Sequence, residues 1–79
     1  MKNIITVPQI KAARALIGWS REELSQASGI PKITISRVET VATTPRASTL
    51  AAIRTALEAA GVEFIPENGG GAGVRMKKG

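Results

Sequence analysis

Apolar and small residues recur at spacings of three and four in four stretches of the chain, which places each set on one face of a helix. The predicted inner positions are Ile10, Ala13, Leu16 and Ile17 in the first stretch, Leu24, Ala27 and Ser28 in the second, Ile35 and Val38 in the third, and Leu50, Ile53, Ala56, Leu57 and Ala60 in the fourth. The pattern predicts a mainly α protein with four helices, and the loop after the third has room for a fifth helical turn.

Two of the predicted helices begin with the sequence of a capping box. Thr6 precedes Gln9 by three residues, and Ser20 precedes Glu23 by the same spacing. In each pair the hydroxyl accepts from a first-turn amide while the longer side chain reaches back to the cap. Gly29 then supplies a left-handed residue that ends the second helix at low cost.

Prolines set the starts of the later helices. Pro31 is tolerated only at or before a first turn, so the third helix begins there. The threonine-rich stretch around Pro45 is typical of a loop, and we expect the fourth helix to start near a capping Ser48. Gly61 is a suitable terminator.

Residues 20–39 are therefore predicted to form two short helices joined by a turn, which is a helix-turn-helix. On the third helix, the side opposite the apolar positions carries a contiguous strip of four residues: Lys32, Ile33, Ser36 and Arg37. Lysine and arginine donate to guanine O6 and N7, serine pairs with several base or phosphate atoms, and isoleucine meets a thymine methyl. The alternative is an ordinary solvated helix face with two cations.

The character of the chain changes after residue 61. Residues 62–65 are β-prone, residues 68–73 form a glycine-rich loop, and residues 74–76 suit a second strand. The loop lacks the lysine and hydroxyl of a Walker motif, so a flexible connector is the better interpretation. We expect a helix-turn-helix domain over residues 1–61 and a β-prone tail over residues 62–79, which forms either a hairpin or strands exchanged within a dimer.

The 79 residues carry 11 basic and 6 acidic side chains, with a formal net charge of +5 and a pI near 10.5. This balance favours a polyanionic partner through phosphate neutralisation and counterion release. An acidic membrane surface is the competing partner, but no apolar run is long enough to span a bilayer, and the first residues do not resemble a signal peptide. We expect a cytoplasmic domain that binds nucleic acid and no membrane.

The chain contains no cysteine, histidine or aspartate, and its acidic residues are six glutamates. It therefore lacks the usual thiolate nucleophile, neutral-pH proton shuttle and metal ligands. We expect no catalytic residues, no metal site and no cofactor. The one tryptophan, Trp19, is a candidate stacking platform for a base, but an apolar residue between two helices of so small a domain is more often part of the core.

The segment ARALIGWSREELSQASGIPKITISRVE resembles the XRE, or lambda-repressor-like, family of prokaryotic helix-turn-helix regulators. The resemblance extends from about Ile10 to about Gly61. It rests on features in order along the chain: the Arg14 helix, Trp19-Ser20, Glu23-Leu24, the Gly29-Ile30 turn, Ile35, Arg37 and Glu39. It implies a compact four- to five-helix DNA-binding domain.

The resemblance also implies roles for individual residues. It implies an ion pair between Arg14 and Glu39, base reading by Lys32, Ile33, Ser36 and Arg37, and phosphate contacts by Arg21, Thr43, Thr44 and Arg46. The chain departs from the family in two places. Pro31 replaces the usual serine or threonine cap of the recognition helix, and Val41 stands where the family usually has glycine.

Two functional hypotheses follow. The first is a sequence-specific transcriptional regulator, a repressor that binds an inverted repeat of double-stranded DNA as a homodimer, with the tail helping it to dimerise. The second is an antitoxin-like interaction module that neutralises a toxin-like partner protein, with the tail adding strands to that partner.

Overall fold

The computed structural model describes residues 5–40, 44–67 and 69–77. These residues form α1 (Val7–Ile17), α2 (Arg21–Ser28), α3 (Lys32–Thr40), α4 (Ala47–Ala59), β1 (Val62–Ile65) and β2 (Gly73–Met76). The predicted fold class, mainly α with a short β element at the C-terminus, is confirmed. The predicted fifth turn belongs to the loop after α3, where residues 41–43 lie outside the described part of the chain.

Both predicted capping boxes are present. The Thr6 hydroxyl accepts from the Gln9 amide at 3.3 Å, while the Gln9 side chain accepts from the Thr6 amide at 2.8 Å. Ser20 and Glu23 repeat the arrangement at 3.2 and 2.8 Å. Gly29 ends α2 with a φ of 77°, a conformation that favours glycine. Local sequence therefore determines where α1 and α2 begin and where α2 ends.

The start of α4 differs from the prediction. The helix begins at Ala47, and Arg46 occupies the cap position without a side-chain hydrogen bond. Ser48 is not the cap, because the Arg46 carbonyl already accepts from the Leu50 amide at 3.1 Å and so places Ser48 inside the first turn.

Two predicted inner positions are wrong. Leu16 is 45% exposed, and Ala27 is exposed as well. Successive residues lie about 100° apart around a helix, so a residue three positions after a buried one can fall beyond the edge of a narrow buried stripe. In α1 the buried stripe includes Gln9 instead of Leu16.

One hydrophobic core joins the helices to the hairpin. Its fully buried side chains are Ile10, Leu24, Ile35, Ile53, Leu57 and Val62. Each of the four helices and β1 contributes at least one of them, and Phe64 of β1 is also buried. The hairpin therefore packs as part of the helical domain.

Strands β1 and β2 pair antiparallel within the chain, with Val62 opposite Met76 and Ile65 opposite Gly73. The intramolecular hairpin, one of the two arrangements left open, is the one observed. The Gln9 side-chain amide donates to the Ile65 carbonyl at 3.2 Å and to the Gly73 carbonyl at 2.9 Å. This buried glutamine thus attaches the loop end of the hairpin to α1, a contact that the local sequence did not indicate.

Candidate nucleic-acid interface

Helix α3 divides into a buried and an exposed side. Ile35 and Val38 are buried against the core. On the other side Lys32 and Arg37 are exposed, and Ile33 is 62% exposed although it is a large apolar residue. A supported helix with an outward strip of cations and one aliphatic side chain has the form of a helix that enters a major groove.

The turn before α3 is held by serines of α2. The Ser25 hydroxyl donates to the Ile30 carbonyl at 2.7 Å, and the Ser28 hydroxyl accepts from the Ile30 amide at 3.2 Å. The Pro31 carbonyl then accepts the first helical bonds, from Thr34 at 2.9 Å and from Ile35 at 3.1 Å. Polar side chains preceding Pro31 therefore stabilise the turn, although Pro31 has no capping side chain.

A buried carboxylate lies on the inner side of α3. The Glu39 side chain is 0% exposed, and Arg14 of α1 binds both of its oxygens, with Nη2 to Oε1 at 2.7 Å and Nε to Oε2 at 2.8 Å. Arg14 Nη1 also donates to the Trp19 carbonyl at 2.9 Å. This paired geometry fixes the end of α3 relative to α1.

A second arginine binds the same carboxylate. Arg21, predicted to contact phosphate, donates through Nε to Glu39 Oε1 at 3.0 Å and through Nη1 to Ser36 Oγ at 3.3 Å. Its side chain stays 34% exposed, on the outer side of the pair. Local spacing does not connect Arg21 with Glu39 or Ser36, because these contacts depend on how α2 packs against α3.

The two guanidinium groups determine the charge state of Glu39. Burial alone would raise the pKa of the Glu39 carboxyl, but hydrogen bonds and charge from Arg14 and Arg21 outweigh burial and hold the pKa below its usual value. The hydrogen bond with Glu39 is also the main cause of the raised pKa of Arg14. Glu39 is therefore ionised at neutral pH, and its carboxylate lies between two guanidinium groups.

Lys32 has an acidic neighbour at the surface. Its Nζ lies 3.6 Å from Glu22 Oε1, and both side chains are more than half exposed. A pair this long and this exposed contributes little to stability, so its ammonium can readily turn to another acceptor.

A groove separates α3 from the start of α4. It has a volume of about 470 Å³ and is open to solvent. Its lining includes Arg37 from α3 together with Thr44 and Arg46 from the loop. The structure therefore brings one predicted base-reading residue and two predicted phosphate-binding residues to the same groove, whereas Thr43 and the family departure Val41 lie outside the described residues.

Trp19 is half-buried and packs against the hydrophobic core. Its carbonyl is held by Arg14, as described above. The packing against the core favours the interpretation of Trp19 as a core residue over that of a stacking platform for bases.

Comparison with known families agrees with this geometry. The sequence model of the family described as Helix-turn-helix matches residues 10–63. The chain belongs to this XRE, or lambda-repressor-like, family, and membership supports a DNA-binding helix-turn-helix regulator. Members of the family are typically non-enzymatic. No curated protein matches the chain in sequence.

Within residues 5–40, 44–67 and 69–77, no helix combines the length and the apolar character needed to cross a membrane. The same residues contain no group of three or more acidic side chains arranged to hold a metal ion.

Proposed function

We propose that the protein is a sequence-specific transcriptional regulator that represses by binding an inverted repeat as a homodimer. The observation that carries the proposal is the exposed strip of α3, where Lys32, Ile33 and Arg37 face outward while Ile35 and Val38 hold the helix from behind. A solvent-facing isoleucine between two cations has no role in the core of the domain, but it fits a groove that presents acceptor atoms and thymine methyl groups.

The binding energy divides between two sets of residues. Arg21, Thr43, Thr44 and Arg46 contact phosphates and set register and affinity, while Lys32, Ile33, Ser36 and Arg37 discriminate among bases. The placement of Thr44 and Arg46 beside Arg37 supports this division, because a duplex seated on α3 brings a backbone strand toward the same groove.

A homodimer places two recognition helices about 34 Å apart, one turn of duplex, on the two halves of the repeat. The hairpin is our candidate for the contact between subunits, with Met76 of β2 as an exposed apolar residue on it. The molecular mass in solution tests this part of the proposal. A monomer at high micromolar concentration, with the hairpin intact, would contradict it.

Selection of bound duplexes from a random pool tests the proposal directly. We expect the selected sequences to form an inverted repeat. In Arg37→Ala, discrimination at one position of each half-site should fall by about 1 to 3 kcal/mol, because a side chain that reads a base is lost. Equal losses on the selected duplex and on a random duplex would refute the reading role of Arg37.

Arg46→Ala is the matched control, since it removes an arginine from the other wall of the same groove. It should weaken binding to every sequence and flatten the dependence of the binding constant on salt concentration, because one phosphate contact is lost. A change in base preference would contradict its assignment to phosphate.

An antitoxin-like role is the second candidate. The sheet of the described residues has two strands, and β2 carries exposed Met76 and Arg75, so a strand from a partner protein has an edge to which it can add. Co-purification with a partner whose activity the chain suppresses would favour this role. A self-sufficient dimer that binds its operator tightly would favour the first.

A further inference from the structure

Helix α3 carries one serine, Ser36, and its hydroxyl is bonded to an arginine of α2. Ser36 is half-buried, and its hydroxyl oxygen accepts a hydrogen bond from Arg21 Nη1 at 3.3 Å. Among the described residues the Ser36 hydroxyl has this donor and no acceptor for its own proton. A hydroxyl carries one proton and two lone pairs, so a cation that occupies the oxygen directs the proton away from itself.

Arg21 is held in place from the interior of the protein. Its Nε donates to Glu39, and Glu39 is fixed by the paired contact with Arg14. The guanidinium is planar, so binding Glu39 through Nε fixes the direction of Nη1. A chain of hydrogen bonds therefore runs from Arg14 of α1 to the Ser36 hydroxyl of α3. Glu39 and Arg21 are its intermediate members.

We propose that Arg21 is a positioning residue for base recognition: it occupies one lone pair of the Ser36 oxygen, turns the hydroxyl proton away from α2, and so favours Ser36 as a hydrogen-bond donor toward DNA. This proposal rests on the proposed function. In the major groove guanine, thymine and adenine each present an acceptor, whereas cytosine presents only the donor N4 amino group. A Ser36 hydroxyl that donates finds an acceptor on guanine, thymine or adenine, so it disfavours cytosine at the base that it faces.

The same arginine keeps its phosphate contact. A guanidinium has five N–H donors, and the bonds to Glu39 and Ser36 use two of them. The remaining donors lie on a side chain that is 34% exposed. Arg21 thus has two separable effects, a uniform one through phosphate and a base-dependent one through Ser36.

The experiment measures binding to the duplex selected by the wild-type protein and to single-base variants that place cytosine at each half-site position in turn. Ser36→Ala should lose roughly threefold to tenfold of the discrimination against cytosine at one position, since a single hydrogen bond is removed. Arg21→Ala should bind every duplex more weakly and lose discrimination at that same position. In the double variant that combines Arg21→Ala with Ser36→Ala, the loss of discrimination against cytosine should equal that of Ser36→Ala alone.

Arg21→Lys separates the two effects. It keeps the positive charge that binds phosphate, but it lacks the planar guanidinium group that binds Glu39 and Ser36 together. It should bind most duplexes nearly as well as the wild type. At the base that Ser36 faces, however, it should tolerate cytosine, as Arg21→Ala does. If Arg21→Ala and Arg21→Lys change affinity by one factor for all duplexes, as Arg46→Ala is expected to do, the proposal is overturned.

Two controls separate the possible failures. Thermal unfolding shows whether each variant is folded, and Ser36→Ala tests the discrimination with the arginine and glutamate cluster intact. A wild-type protein with no base preference would contradict the proposed function itself. A wild-type protein that does select among bases, but whose Arg21 variants lose affinity equally for all duplexes, would contradict only the positioning role of Arg21.

Discussion

Two polar side chains are buried in the described part of the chain, and they organise opposite regions of the molecule. As whole residues, Glu39 is 5% exposed and Gln9 is 6% exposed. Glu39 joins α1, α2 and α3, while Gln9 joins α1 to the hairpin. Both have all their buried polar atoms hydrogen-bonded. They differ in charge, since Glu39 needs two guanidinium groups and Gln9 is satisfied by backbone groups alone.

Because of this difference, the two regions of this small core are stabilised by different interactions. Around Glu39 the domain depends on ionisation, and the same contacts extend to Ser36 on the surface proposed to read bases. Around Gln9 it depends on neutral hydrogen bonds to the Ile65 and Gly73 carbonyls. We therefore expect changes in the first region to affect stability, acid sensitivity and base discrimination. Changes in the second should affect stability and, through the hairpin, the proposed contact between subunits, but neither acid sensitivity nor base discrimination.

The largest effect is expected for Glu39→Gln. The substitution keeps the volume but removes the charge that neutralises Arg14 and turns an amide donor toward the guanidinium groups, so the free energy of unfolding should fall by about 3 kcal/mol. Urea unfolding at pH 7 measures it. In a domain this small, such a loss is a large part of the total stability.

The matched control for this substitution is Glu63→Gln. Glu63 pairs with Arg75 across the hairpin, at 3.1 Å, but on the exposed face. Water solvates both groups after the change, so no measurable loss is expected. Similar losses for Glu39→Gln and Glu63→Gln would mean that burial does not distinguish the two pairs.

A smaller effect is expected for Gln9→Ala. The change leaves the Ile65 and Gly73 carbonyls without their side-chain donor and removes half of the capping box of α1, so unfolding should become easier by about 1 to 2 kcal/mol. Amide hydrogen exchange should accelerate in the hairpin more than in α2 and α3. Gln26→Ala, on the exposed side of α2, is the control, and unchanged exchange in the hairpin would contradict the role given to Gln9.

The smallest expected effect is the response to acid. The pKa of Glu39 is lower in the folded protein than its usual value of 4.5, so the folded state binds fewer protons than the unfolded state around that pH. The stability due to Glu39 is fully present above the unfolded-state pKa and is lost as the pH falls through the folded-state pKa. The urea midpoint of the wild type should therefore decrease as the pH is lowered below about 5.

Variants of the two regions should respond differently to acid. Gln9→Ala should show the same decrease with pH as the wild type, because no ionisable group is changed. Glu39→Gln should show a shallower decrease, because the buried carboxyl whose pKa is lowered in the folded state is no longer present. Parallel curves for Glu39→Gln and the wild type would show that Glu39 is not responsible for acid sensitivity.

Local sequence patterns were sufficient to predict structural features that depend on interactions between neighbours in the sequence. The capping boxes at Thr6 and Ser20 and the left-handed Gly29 depend on groups within about three residues, and the structure has all of them. The prediction for Ser48 was wrong, because a helix start is decided by which carbonyl first accepts a helical bond, and Arg46 does so. Leu16 was misplaced because periodicity does not tell how wide the buried stripe is.

The sequence by itself therefore determined the helices, the turn between α2 and α3, the exposure of Lys32, Ile33 and Arg37 on α3, and the excess of positive charge. It determined them because hydrophobic period, caps and turn residues act over short distances along the chain. Only the tertiary structure decided that Arg21 joins Arg14 at Glu39, that Ser36 accepts from Arg21, and that Gln9 attaches the hairpin. These contacts join residues 15 to 64 positions apart, and their partners are chosen by how helices and strands pack together.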